Sequence, residues 1–157
     1  MSMRILGLDP GLATLGFGVI EIRDRLPHLL EVGVIKTEPQ QAVGERLLTI
    51  YQDMQVLLHT WQPDRVAIEQ LFFYRMGNVI GVAQARGVVL LALAQAGIVP
   101  VEFSPPQVKQ ALTGYGNANK QEVQAAVRRE LKLERLPQPD DAADALAIAL
   151  SSYMLGA

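Results

Sequence analysis

The sequence predicts an α/β fold: a mixed five-stranded sheet, three strands antiparallel and then two parallel, with helices on both faces. Three observations carry this reading. Three strand-prone segments follow one another through tight turns in the first forty residues. After them, segments of helical spacing alternate with short strands, the pattern of parallel pairing. No repeat, linker or low-complexity tract interrupts the 157 residues, so they read as one domain, 1–157, long enough to bury a sizeable core.

The elements follow in order. Ile5 to Leu8 are apolar and strand-prone, and the strand stops on Asp9, which Pro10 holds extended. Gly11 supplies a bend, and Gly16-Phe-Gly-Val-Ile20 restarts the strand pattern. The polar turn Arg23-Asp-Arg25 leads into a third strand, His28–Thr37. Val43–Trp61 has Leu47, Leu48, Tyr51, Met54, Leu57 and Leu58 at helical spacing, with a polar far face. Pro63-Asp64 breaks that helix, and Arg65–Glu69 is a short strand that again ends on a carboxylate. Gln70–Met76 is a loop. Gly77–Ala96 is a long apolar helix, buried on more than one side; its small residues Gly81, Ala83, Ala85 and Gly87 suit plain core packing or a seam with a second helix. Val99–Phe103 is the fifth strand. Pro105–Leu112 is a short helix with proline in its first turn, followed by a loop over 113–119. Lys120–Leu133 is amphipathic, with a basic flank at Arg128, Arg129 and Lys132. Pro137 and Pro139 then precede a last helix, Asp140–Leu155.

Composition removes several classes of function. Half of the residues are hydrophobic and 19% are charged, which is ordinary for a globular domain. Without cysteine there are neither disulfides nor thiolate metal sites, in keeping with a reducing cytoplasm. No basic segment followed by an apolar run opens the sequence, so no secretory signal is expected. The apolar runs fall far short of the roughly 20 residues of a membrane span, and no membrane role is expected. A net charge of -2 argues mildly against nucleic acid, unless some of the acids hold cations and reverse the local sign.

The acids point to the chemistry. Asp141 and Asp144 are three residues apart and share one face of the last helix. Their neighbours, from Ala142 to Leu150, are apolar nearly all round, the mark of a packed helix. Asp140, just before the pair, suits a helix cap. A lone acid at a strand end is usually a solvated surface residue, so neither Asp9 nor Glu69 decides anything alone. Two strand-terminal acids together with a helical pair read as convergence on one site. Four carboxylates held close cannot all stay ionised without a cation. An oxygen-only ligand set suits Mg²⁺, and two such ions can drive phosphodiester hydrolysis. Competing chemistries find little support. His28 and His59 lack metal-ligand spacing, and Ser104, Ser151 and Ser152 lack a nucleophile elbow. Gly11 and Gly16 have the spacing of a P-loop, but Phe17-Gly18 stands where Lys and Ser/Thr are required.

Five stretches together resemble the RuvC family of Holliday-junction resolvases: Gly7-Leu-Asp9-Pro-Gly11, Ala67-Ile-Glu69-Gln70 with Phe72 beyond it, Gln84-Ala-Arg86-Gly87, Gln107-Val-Lys109-Gln110, and the run Asp141–Ala149. They stand in family order and spacing over nearly the whole chain. The resemblance implies an RNase H-like fold and a homodimeric, Mg²⁺-dependent endodeoxyribonuclease with two ions per active site, for which Mn²⁺ can substitute. Such enzymes nick two opposed strands of a four-way DNA junction in recombination and repair, usually after a short T-rich sequence. They act with a branch-migration motor of the RuvA and RuvB type. Residue by residue, the resemblance implies that Asp9, Glu69, Asp141 and Asp144 are the catalytic and metal-binding acids. It also implies that Phe72 stacks on a base and that Lys109 and Lys120 lie near the scissile phosphate.

DNA contacts are expected around these residues. Phe72, Phe73, Tyr74 and Arg75 follow one another, and three aromatics in an extended segment cannot all point inward, leaving one free to stack on a base. Lys109 to Arg135 hold six basic and three acidic residues, a local basic edge able to take phosphate. Three other readings stay open at this stage: an actin-like nucleotide-binding kinase or ATPase, a catalytically silent junction-binding module, and an RNase H-like nuclease with another substrate.

Overall fold

The computed structural model describes residues 2–71 and 79–157. Its elements are β1 (Ser2–Asp9), β2 (Thr14–Arg23), β3 (Leu26–Lys36), α1 (Val43–Trp61), β4 (Arg65–Glu69), α2 (Val79–Gln95), β5 (Val101–Phe103), α3 (Pro105–Thr113), α4 (Lys120–Glu130) and α5 (Asp140–Leu155). The strands form one sheet in the order β3-β2-β1-β4-β5. The first three are antiparallel, while β4 runs parallel to β1 and β5 parallel to β4. This is the expected mixture.

Side-chain alternation divides the core into two layers. Leu6 and Leu8 of β1 and Val66 and Ile68 of β4 face one way, onto Ile50, Met54 and Leu57 of α1 and Val89 and Leu93 of α2. Ile5 and Ala67 face the other way, onto Val108 of α3, Val127 of α4 and Leu146, Ile148 and Leu150 of α5. Helices therefore cover both faces.

α5 lies closest to the sheet because glycines let it. Gly7 and Gly18 are paired across β1 and β2, and Gly16 pairs with Asp9. A Cβ at Gly7 would collide with the Ala145 carbonyl and the Ala149 nitrogen, at Gly18 with the Leu146 side chain, and at Gly16 with the Asp141 carbonyl. The helix backbone thus rests directly on β1 and β2.

The structure corrects some boundaries. β3 starts at Leu26, earlier than His28, because Asp24 and Arg25 both adopt positive φ and close a tight reversal. β5 is shorter than expected and begins at Val101, directly after Pro100, which has no N–H to give a ladder. α4 stops at Glu130, short of Leu133, and Lys132 turns left-handed with φ 54°. The expected first residues of α2, Gly77 and Asn78, lie outside the described residues.

Candidate active site

Strand parity brings the first two acids together. Ile5, Gly7 and Asp9 point to the α5 side of β1, and Arg65, Ala67 and Glu69 to the same side of β4, with Ile5 beside Arg65 and Gly7 beside Ala67. Asp9 and Glu69 thus end adjacent parallel strands on one face, and their carboxyls share a hydrogen bond. α5 begins directly above them. Asp9, Asp141 and Asp144 each present an oxygen, and these oxygens all lie within 4.8 Å of one another. The four acids expected from the sequence meet in one cleft.

The cluster is electrostatically strained. Burial, then the charges of Glu69, Asp144 and Asp141, push the Asp9 carboxyl well above the usual carboxylate range. Glu69 is also raised by burial, although its hydrogen bond with Asp9 and the charge of Lys109 pull it down. Asp144 is raised by burial and held back by Lys120. Burial and the neighbouring carboxylates thus favour a proton over a charge on Asp9, unless a cation offsets them. Oxygen donors alone, with neither His nor Cys among them, are the set a hard divalent cation takes. The residues fit such an ion.

The cleft continues into a cavity of about 260 Å³. Its mouth carries Glu69, Asp144, Lys109, Asn119 and Lys120, and its floor is apolar, with Val108, Val127 and Ile148. Lys109 belongs to α3 and Lys120 opens α4, so the two expected cations flank the acids. Asp140 departs from the expectation of a helix cap. The N-cap position is Pro139, and the Asp140 carboxylate instead pairs with the ammonium of Lys120. The cause is the helix start: with Pro139 extended, Asp140 is already in the first turn and faces α4. This pair, with further help from Asp144 and Asp141, raises the Lys120 ammonium above its ordinary value. Phe72, Phe73, Tyr74 and Arg75 lie outside the described residues.

One contributor carried no role in the sequence reading. Arg86 Nη1 donates to the Glu69 carbonyl at 2.6 Å, and its Nη2 pairs with Glu102 on β5. Gln70 N also donates to the Phe103 carbonyl at 2.9 Å, so the end of β4 is held from two sides. The available signal was a single charge in the otherwise uncharged α2.

The family model described as crossover junction endodeoxyribonuclease RuvC matches residues 5–152. The chain belongs to the RuvC family. A RuvC from Gloeobacter violaceus is 58% identical over 153 residues, covering 97% of this chain and 88% of that protein. The solved Thermus thermophilus RuvC superposes with a TM-score of 0.93 at 40% identity, covering 98% of this chain and 95% of that one. The same RuvC in complex with a Holliday junction substrate gives 0.92 at 41% identity, covering 98% and 94%. The RNase H-like fold implied by the motifs is therefore the fold of this chain, and as a RuvC it is an endodeoxyribonuclease.

Proposed function

We propose that this RuvC resolves four-way DNA junctions by paired nicks, with Asp9, Glu69, Asp141 and Asp144 as catalytic acids and as ligands of two Mg²⁺ ions. One observation carries the reading: four carboxylates from β1, β4 and α5 converge between two lysines. Divalent ions held there supply Lewis acidity toward the phosphate and lower the pKa of an attacking water. The chain's own residues do the rest. The four acids would hold the cations between β1, β4 and α5. Lys109 and Lys120 offset the charge of the strand at the mouth of the cleft. Arg86 keeps the Glu69 backbone, and so its carboxylate, at the end of β4. Phe72 is assigned the base-stacking role, with Phe73, Tyr74 and Arg75 as further DNA contacts.

Two symmetric nicks call for an isologous dimer. The outer face of α2 supports one: Ile80 is 71% and Leu91 54% exposed, and among the described residues nothing lies within 4 Å of where a Cβ on Gly87 would stand. A motor of the RuvA and RuvB type is the proposed functional partner and the cytoplasm the compartment; among the described residues no helix is long and apolar enough to cross a membrane.

The test is incubation with Mg²⁺ and a four-way junction, a plain duplex or an RNA–DNA hybrid. Junction cutting is expected, lost in Asp9→Asn while junction binding persists. Equal cutting of all three substrates, or wild-type cutting by Asp9→Asn, overturns the reading.

A further inference from the structure

Going beyond the acids and lysines, and resting on the junction-binding reading, we infer that Tyr115, on the α3–α4 loop whose far end lines the acidic cleft, is a further nucleic-acid contact, an aromatic platform against which a base of the bound strand stacks. Tyr115 is 65% exposed, and among the described residues its ring and hydroxyl make no hydrogen bond. A single exposed aromatic is ordinary on a protein surface. Its setting is not ordinary.

Residues 114–119 join α3 to α4 within a few residues of both lysines of the cleft, and Ala118, Asn119 and Lys120 line the cavity beside Glu69 and Asp144. The loop is built to keep its shape. Gly114 closes α3 in the left-handed region, φ 89°, with its N–H on the Gln110 carbonyl. Thr113 Oγ donates to the Lys109 carbonyl at 2.7 Å and accepts from Tyr115 N at 3.1 Å. The Tyr115 carbonyl accepts from Ala118 N at 3.3 Å. Asn119 then caps α4, its Oδ1 taking Glu122 N at 2.8 Å while Glu122 Oε1 takes Asn119 N at 3.1 Å. The backbone on both sides of the ring is therefore fixed while the ring stays in solvent. With the backbone held in advance, only the ring's own rotamers are left to be ordered when it stacks. Proteins hold unpaired strands with cations that take the backbone and exposed rings that take a base, and this loop carries the ring between the two lysines in the chain.

The experiment uses the Asp9→Asn protein, which is expected to hold DNA without cutting it, and reads its affinity for a fluorescent four-way junction by anisotropy. Tyr115→Ala in that background is expected to weaken binding about tenfold, the scale of one lost base stack. Tyr115→Phe is expected to bind like the parent, because the ring carries the contact. Irradiation of a junction carrying 5-iododeoxyuridine near the cutting site is expected to crosslink Tyr115. Unchanged affinity in Tyr115→Ala with no crosslink overturns the inference while leaving junction binding intact. A Tyr115→Phe protein as weak as Tyr115→Ala overturns stacking in favour of the hydroxyl. Failure of the Asp9→Asn parent to bind the junction at all overturns the function proposed above instead.

Discussion

Asp9 concentrates the cost of the site. It is half-buried at a strand end beside three other carboxyls, and each raises its affinity for a proton. Removing that charge should help the fold and abolish the chemistry. In metal-free buffer, Asp9→Asn is expected to melt a few degrees higher than the parent, the shift that about 1 kcal/mol produces at this size. It is also expected to lose most of the stabilisation that Mg²⁺ gives the parent. Calorimetric melting with and without the ion checks both, and a lower metal-free melting temperature for the variant would refute the strain. The four acids were legible in the sequence because two end apolar strands and two share a helix face. Arg86 and Asp140 were not. Sequence spacing shows which residues share an element but not which cation crosses between elements to meet a carbonyl or a carboxylate.

At the scale of elements, the glycine seam decides where Asp141 and Asp144 stand. Gly16 is paired with Asp9 on the neighbouring strand and touches the Asp141 backbone, so one position gauges the gap between two halves of the acid set. Gly16→Ala inserts a methyl group into the Asp141 carbonyl. It is expected to destabilise the protein by about 1–3 kcal/mol, as overpacked sites do, and to weaken divalent-ion binding along with it. Titration calorimetry and denaturant unfolding read the two effects, and unchanged ion affinity would show that the seam does not set the site. α1, β4 and α5 were predicted with the bounds they have, since each is bracketed by proline, by glycine or by an abrupt change of hydrophobic period. α4 was not, because the chain turns left-handed at Lys132, just beyond its end, a conformation that residue type does not advertise. The seam itself was only partly legible: glycines in a strand mark close approach, but the partner that approaches lies more than a hundred residues away.

For the whole molecule, the acid cluster couples folding to pH and to cations. Asp9, Glu69 and Asp144 all hold protons more tightly in the fold than at their ordinary values of 3.8, 4.5 and 3.8. The unfolded chain binds fewer protons across that interval, so stability falls as pH rises through it. The metal-free protein is therefore expected to be more stable near the ordinary carboxylate values than at neutral pH. Its contribution from these acids is complete below those values and lost once pH exceeds the raised ones. Mg²⁺ competes with the protons, and its stabilising effect is expected to be large at neutral pH and to fade on acidification. Melting temperatures against pH, with Mg²⁺ and with a chelator, check this; parallel curves would contradict it. The docking of α5 carries a last consequence. Half of the oxygen donors arrive on a single C-terminal helix, so seating that helix and assembling the ion cage are one cooperative event. A luminescent lanthanide captured there becomes a lamp for the docking of that helix, dark until Asp141 and Asp144 have reached the sheet.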